Sequence, residues 1–337
     1  MEPEADSKAT PIEGTIFKGP QYDSKVDSII HGGPNTLIVI SDFDRTLTWR
    51  VYSSYGLFQQ SPLITDKFRT RAIELLNKYY PMECDMSATQ DSKYKAMNQW
   101  WIEANENVVN SCVSRKLIRD VVELAVRSSP RSGMLRGGAS TLLETASKAG
   151  IPLTIFSAGV TPIIAEMIRQ ESNVEDINGV DHSLSLVSND VIWSGPEDTD
   201  VIAQFIDPVI HSMNKEEVPI EFNVKVKARV DKLLSEEAAC VRDGKPFDAA
   251  RGVPHVILIG VTIYDSKMAD TLVKYWMDNT AHKEFRPVVL AVAMIGGDSK
   301  VGKEDVDYFL KDFDVVVTND SPLDLVNSIV NQTIANN

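Results

Sequence analysis

The sequence TLIVISDFDRTLT, residues 36–48, decides the fold of this chain. It begins with a short apolar run rich in β-branched residues and continues into two aspartates separated by one residue. Such a run, preceded by Gly and Pro and followed by polar residues, is typical of a buried parallel strand. Ligand sites of open parallel sheets lie at the carboxyl ends of strands. Asp42 and Asp44 are therefore predicted to lie at a functional edge of the sheet.

Four further apolar runs have the character of buried strands, and amphipathic helical stretches lie between them. Strands that alternate with helices predict right-handed crossovers and a parallel sheet. The predicted fold class is therefore α/β, with a Rossmann-like parallel-sheet core. The additional strand runs are 152–156, 256–259, 288–293 and 315–317, and two of the intervening helical stretches are 139–148 and 161–170.

The interval 50–135 differs from the rest because it has helical periodicity and little strand signal. It follows the first strand, so it predicts a helical cap inserted over the active edge of the sheet. The α/β core then comprises 26–49 and 136–337, with a polar insertion at 231–254. Residues 1–25 are polar, with scattered Pro and Gly, and predict a flexible acidic arm.

The formal net charge of −14 argues against general binding to nucleic acid or to anionic membranes, since both need a basic surface. It leaves room for a small phosphorylated ligand, which needs only a local basic or metal site. No apolar stretch approaches the length of a membrane span.

The three cysteines, Cys84, Cys112 and Cys240, are widely spaced and form no CxxC pair. This pattern suggests neither a disulfide framework nor a zinc site and fits a reducing cytosol. The first residues are acidic and lack an apolar run, so we expect no secretory signal and a cytoplasmic location.

Asp42 and Asp44 can divide the work of phosphate transfer. The first can attack phosphorus and form an aspartyl-phosphate. The second can protonate the leaving oxygen and later deprotonate water. Alternatively, both aspartates make turn hydrogen bonds or cap a helix, although their position directly after a buried strand favours chemistry.

Two later strand ends carry compatible groups. Ser157, within FSAG at 156–159, precedes a helix, and a hydroxyl with backbone N–H groups at a helix start suits a phosphoryl group. The alternative is an ordinary helix cap. The loop 260–270 follows another strand and would hold the carboxylates that bind magnesium, which prefers oxygen ligands.

In this order, the DxDxT of 42–46, the SAG of 157–159 and the loop 260–270 resemble the first, second and fourth motifs of haloacid-dehalogenase-type phosphatases. The chain is most similar to the cytosolic pyrimidine 5′-nucleotidases, from about residue 36 to 332. Other stretches that carry this similarity are YYPMECD at 79–85, IRQ at 168–170, VSN at 187–189 and KMAD at 267–270.

The resemblance implies Asp42 as nucleophile, Asp44 as acid and base, and magnesium held by Asp42, Asp44 and Asp265. Glu83 would help to recognise the nucleoside. Trp100 would lie near the base, although core packing is an equal alternative for it. The substrate-binding residues implied in this way are Thr46, Glu83, Trp100, Ser157 and Ala158.

Three positions depart from the family pattern. Val261 replaces the first aspartate of the GDSxxD motif, while Asp265 keeps the second. The family's lysine follows a Phe-Asn pair, but here Val224 follows Phe222-Asn223, so Lys225 is predicted to serve after a one-residue slip. Ala104 replaces a serine of the cap.

These departures leave three functions open. The chain is a 5′-nucleotidase acting on nucleoside 5′-monophosphates, with pyrimidines preferred and activity weak, or a catalytically impaired module that binds a ligand or protein. The third possible function is that of a phosphatase for another small phosphate ester. In the first, magnesium is a weakly held cofactor, because valine cannot ligate a metal ion.

Overall fold

A seven-stranded sheet forms the centre of the molecule in the computed structural model, which describes residues 15–85, 87–174, 177, 184–296, 301–318 and 320–336. The strand order is β1-β9-β8-β7-β2-β3-β4; β1 runs antiparallel to β9, and the other pairs are parallel. A separate antiparallel hairpin is formed by β5 and β6. The strands are β1 Ile16–Lys18, β2 Leu37–Ser41, β3 Leu153–Val160, β4 Leu184–Asn189, β5 Val191–Trp193, β6 Ile202–Phe205, β7 His255–Gly260, β8 Val288–Met294 and β9 Val315–Val317.

Helices cover both faces of this sheet. Alternate side chains of β2 enter different cores: Leu37 and Val39 pack on one face, Ile38 and Ile40 on the other. Burial on both faces explains why the strand reads as a continuous apolar run. The helices are α1 Tyr22–Gly32, α2 Ser54–Gln60, α3 Asp66–Cys84, α4 Gln90–Asn110, α5 Arg115–Ser128, α6 Ala139–Lys148, α7 Thr161–Glu171, α8 Val224–Arg242, α9 Ala249–Gly252, α10 Asp270–Asn279, α11 Lys303–Phe309 and α12 Asp324–Ala335.

The α/β fold class predicted from the sequence is confirmed. All five predicted strand runs form strands of the main sheet. The sequence analysis missed β4, the parallel neighbour of β3, because its polar residues Ser185, Ser188 and Asn189 interrupt the apolar run.

The interval 50–135 contains α2 to α5 and, among its described residues, no strand of the main sheet. Each of these helices begins beside a serine or threonine whose side chain accepts a hydrogen bond from the amide three residues later, which satisfies one free N–H of the first turn. The pairs are Ser53 with Gly56, Thr65 with Phe68, Thr89 with Ser92 and Ser114 with Leu117.

Two predicted boundaries differ from the structure. The arm expected at 1–25 is ordered from Thr15, because β1 pairs with β9 and α1 begins at Tyr22, whose ring is buried; residues 1–14 lie outside the described part. The polar insertion expected at 231–254 lies largely in α8 and α9. Within the described ranges, no helix is long and apolar enough to cross a bilayer.

Candidate active site

The ends of three neighbouring strands lie level with one another at one edge of the sheet. Ser41, the last residue of β2, pairs with Ile155 of β3 and with Ile259 of β7. The next amide, Asp42 N, donates to the carbonyl of Ile259 over 2.9 Å. Parallel pairing therefore places the residues that follow β2 and β7, and those near the end of β3, at the same edge.

Asp42 is held from two sides. Its Oδ2 accepts a hydrogen bond from Thr46 Oγ1 at 2.9 Å, and its Oδ1 lies 2.7 Å from Lys215 Nζ. The residue is only 6% exposed. Thr46, which was predicted to contact substrate, thus orients Asp42.

Lys215 is the central cation of this site. Its Nζ also lies 2.7 Å from Oδ1 of Asp265, so one buried ammonium bridges two buried carboxylates. It begins a short 3-10 turn, Lys215–Glu217. Buried ion pairs of this kind are stable only when their geometry is good and the remaining hydrogen-bonding groups are satisfied.

This geometry corrects the prediction that Lys225 is the lysine of the site. Val224 is 65% exposed, and Asn223 accepts from Val226 N and so caps α8 instead of leading into the site. Lys225 lines a surface groove with Phe222. The signal in the sequence is the pair Asn214-Lys215, before which Met213 takes the place of the phenylalanine that precedes the family's Asn-Lys pair.

Asp44 is bound to the first helix of the 50–135 interval. Its Oδ1 accepts from Ser54 N at 2.7 Å and its Oδ2 from Ser54 Oγ at 2.8 Å. The backbone of Gly159 packs against the same hydroxyl: a Cβ at Gly159 would lie 2.3 Å from Ser54 Oγ. The loop that carries Ser157 and Ala158 therefore lies beside Asp44.

Ser157 is fully buried, and its Oγ accepts a hydrogen bond from Gly159 N at 3.1 Å. The Ala158 carbonyl accepts from Asn189 Nδ2 at 2.6 Å, and the same amide donates to Ile210 O at 2.8 Å. Asn189 thus joins the Ser157 loop to the segment that leads to Lys215, a role that the sequence analysis did not assign.

Burial shifts the protonation of these groups. It raises the pKa of Asp42 to about 6, although the positive charge of Lys215 opposes the shift. Burial also raises the pKa of Asp44, against the hydrogen bonds from Ser54. Burial lowers the pKa of Lys215, but the carboxylates of Asp265 and Asp42 outweigh it and raise that pKa above its ordinary value. At neutral pH the geometry thus favours an ionised Asp42 beside a charged Lys215.

The donor set does not fit a conventional magnesium site. Val261 offers no side-chain oxygen. Asp265 cannot move inward freely, because its Oδ2 accepts from Val261 N, Thr262 N and Thr262 Oγ1, its Oδ1 binds Lys215, and its Cβ packs on Gly260. Within the described part of the chain, no three acidic, histidine or cysteine side chains are arranged to hold a metal ion.

The residues predicted to face the nucleoside, Glu83 and Trp100, lie on α3 and α4. Glu83 Oε1 accepts from Ser212 Oγ at 3.4 Å, and burial raises its pKa. Trp100 stacks on Tyr79, with ring centroids 6.0 Å apart, which agrees with the packing alternative. Ala104 is buried in the same cluster.

A cavity of about 440 Å³ lies between α4 and the segments that carry Lys215 and Asp265. Its lining includes Met213 and Glu216, which lie on either side of Lys215 in the chain, and Tyr264, the residue before Asp265. Three of its eight lining residues are acidic and one is basic, so the lining carries a net negative charge. The lining residues are Gln90, Asp91, Tyr94, Met213, Glu216, Glu217, Tyr264 and Lys267.

Comparison with known proteins gives a consistent result. The family model described as "Pyrimidine 5′-nucleotidase (UMPH-1)" matches residues 39–334. The human 7-methylguanosine phosphate-specific 5′-nucleotidase is 29% identical over 336 residues, covering 97% of this chain and 95% of the relative. The corresponding Drosophila melanogaster protein is 22% identical over 312 residues, covering 90% of this chain and 82% of the relative.

Among solved structures, cytosolic 5′-nucleotidase IIIB bound to cytidine is similar, with a TM-score of 0.70, 18% identity and coverage of 96% of this chain and 95% of that one. At this identity the match establishes the fold alone.

Proposed function

Because this chain belongs to the pyrimidine 5′-nucleotidase family, we propose that it hydrolyses nucleoside 5′-monophosphates through an aspartyl-phosphate on Asp42. The observation that carries the proposal is the contact of Lys215 with both Asp42 and Asp265 at 2.7 Å. It keeps the nucleophile ionised and supplies positive charge where a phosphate would enter.

The proposed reaction has two steps. A carboxylate oxygen of Asp42 bonds to phosphorus while the bond to the nucleoside oxygen breaks, and Asp44 gives that oxygen its proton. Asp44 then takes a proton from water, which attacks phosphorus and releases inorganic phosphate from Asp42. The raised pKa of Asp44 favours the protonated carboxyl that the first step requires.

We expect turnover to be slow. A phosphate group carries up to two negative charges. Lys215 supplies one positive charge, which Asp42 and Asp265 already share, so it offsets the phosphate charge poorly. Asp42 and the backbone carbonyl of Asp44 still offer oxygen ligands, but Val261 removes the third, so magnesium should bind weakly.

The acidic cavity favours one group of substrates within this class. Glu216 and Glu217 line it, and Glu83 accepts a hydrogen bond from Ser212, the residue before the lining residue Met213. Carboxylates stabilise a cationic base, such as the imidazolium ring of 7-methylguanine, more than a neutral pyrimidine. We therefore propose that 7-methylguanosine monophosphate is a substrate beside the pyrimidine nucleotides.

Phosphate release should be measured over a panel of cytidine, uridine, adenosine and 7-methylguanosine monophosphates, with and without magnesium. Asp42→Asn is the control, because the amide is a poor nucleophile. Release by the wild type that the variant lacks supports the proposal; equal release by both refutes the mechanism.

A second function, a binding module without catalysis, is favoured by Val261 and by the engagement of both Asp265 oxygens. It predicts that a nucleotide binds in calorimetry with no release above the Asp42→Asn background. The same panel therefore decides between the two.

A further inference from the structure

Arg136 lies directly behind the turn that carries Asp42 and Asp44. Its guanidinium donates to three backbone carbonyls: Nε to Thr46 O at 2.8 Å, Nη2 to Arg45 O at 2.8 Å and Nη1 to Ser321 O at 2.9 Å. The residue is 3% exposed. The planar guanidinium therefore donates to main-chain oxygens, two of which belong to the turn itself.

That turn has a backbone conformation that needs support. Arg45 has a φ of 64°, in the left-handed region that side chains other than glycine rarely adopt. Its N–H donates to Thr48 Oγ1 at 2.7 Å and its carbonyl accepts from Arg136. Because Arg45 separates Asp44 from Thr46, the angle at this residue sets how the acid and the group that orients Asp42 face each other.

Arg136 also ends the connection that returns from the 50–135 interval to the core. The outgoing and returning connections are paired: Thr48 bridges Leu135, Trp49 N donates to Met134 O at 3.1 Å, and Arg136 N donates to Leu47 O at 2.7 Å. The helices above the site are therefore joined to the core through the segment that Arg136 fixes.

Asp320 extends this arrangement. Its Oδ1 lies 3.1 Å from Arg136 Nη1 and accepts from Arg50 N at 3.3 Å, and its Oδ2 lies 2.8 Å from Arg131 Nη1. One carboxylate after β9 thus binds the outgoing connection at Arg50 and the returning one at Arg131 and Arg136.

We infer that Arg136 is a positioning residue for the proposed phosphate transfer: it holds the 45–46 backbone so that Asp42 and Asp44 keep their relative orientation. It touches none of the reacting groups and acts through the carbonyls of Arg45 and Thr46. The inference rests on the proposed function for its effect on rate, but the order that it predicts in the turn does not depend on turnover.

The chain offers a matched control in Arg229. This arginine, on α8, also donates to main-chain carbonyls, with Nη1 to Pro34 O at 2.8 Å and Nη2 to Gly150 O at 2.6 Å. Pro34 and Gly150 precede β2 and β3, so it ties loops at the amino edge of the sheet, away from Asp42. Lysine at either position keeps the charge and loses the planar fork.

The test compares Arg136→Lys, Arg229→Lys and the wild type in steady-state kinetics and in amide hydrogen exchange at a temperature where all three are folded. We expect Arg136→Lys to lower kcat by roughly 10- to 100-fold with KM little changed, because a small misplacement of catalytic groups has effects of this size. Exchange should quicken over 43–50 and stay unchanged over 33–37.

Arg229→Lys should show the reverse exchange pattern and an unchanged kcat. Unchanged exchange over 43–50 in Arg136→Lys overturns the inference, as does a kcat equal to that of Arg229→Lys in an active enzyme. If the wild type releases no phosphate, the proposed function fails, while the exchange comparison still decides whether Arg136 orders the turn.

Discussion

Lys215 Nζ lies 2.7 Å from Oδ1 of Asp42, and both residues are almost completely buried. Removing the ammonium would leave a buried carboxylate without its cation, which costs several kcal/mol or forces the carboxylate to take up a proton. A protonated Asp42 cannot attack phosphorus.

We therefore predict that Lys215→Met lowers kcat at least about 100-fold, an effect typical of losing one charged stabilising group. Lys225→Met, at the position first predicted from the sequence, should leave kcat within about twofold of the wild type, because Lys225 lines a groove elsewhere. Phosphate-release kinetics measure both, and a larger loss in Lys225→Met would restore the original assignment.

Val261→Asp should increase magnesium affinity, because it returns a charged oxygen ligand to a site where Asp42 and the Asp44 carbonyl supply the others. Turnover should rise with it. Calorimetry with magnesium measures the change, and Val261→Asn is the matched control, since it adds an oxygen without the charge. Tight binding and brisk turnover in the wild type, with no gain in Val261→Asp, would show that another group replaces the missing ligand.

Asp44→Asn should slow nucleotide hydrolysis by about 10²- to 10⁴-fold, the usual contribution of a general acid. The loss in the first step should be much smaller with p-nitrophenyl phosphate, whose leaving group departs without a proton. A burst of p-nitrophenol followed by slow turnover would indicate that Asp44 is still needed to activate water. An equal loss at the burst for both substrates would argue that Asp44 is structural, through its bonds to Ser54.

Glu83→Gln should weaken the binding of 7-methylguanosine monophosphate more than that of cytidine monophosphate, because the amide keeps the shape of Glu83 and removes its charge. We expect the ratio of the two kcat/KM values to change by roughly fivefold or more, which corresponds to about 1 kcal/mol. Glu123, which lies on α5 and pairs with Arg127, provides the control as Glu123→Gln. Equal effects on both nucleotides would exclude a charge-based preference.

Acid should destabilise the protein as the pH falls from 6.5 towards 4, through two buried histidines. Burial lowers the pKa values of His255 and His211 to about 4. Below about pH 6.5 these histidines bind protons in the unfolded chain but not in the folded chain. Their contribution to the free energy of unfolding is therefore complete above that pH and is lost as the pH falls. Each histidine can account for up to roughly 3 kcal/mol.

His255→Gln should flatten this dependence, because Gln can still meet Thr36 Oγ1, which lies 2.9 Å from His255 Nδ1, without titrating. The exposed His31 supplies the control, His31→Gln. Denaturant unfolding at pH 7, 6 and 5 measures the effect. The raised pKa of Asp42 makes the folded protein more stable as the pH falls over part of this range. The test therefore compares the pH dependence of each variant with that of the wild type. Parallel curves for His255→Gln and the wild type would contradict it.

The sequence alone determined the α/β core, because strands buried on both faces need continuous apolar runs, and it placed Asp42 and Asp44 at a strand end. The resemblance to the GDSxxD motif added the expectation that a carboxylate is lost at Val261. The strand runs and the position of the aspartates are local features: each depends on a residue and its near neighbours in the chain.

Only the tertiary structure decided which lysine serves the site. Lys215 lies 173 positions from Asp42 in the chain and 50 from Asp265, and no local pattern fixes which cation meets two carboxylates across such distances. The same holds for Arg136, whose partners Arg45 and Ser321 are 91 and 185 positions away. Burial and the packing of distant segments select these contacts, because both take effect only after the sheet has brought its strand ends to one edge.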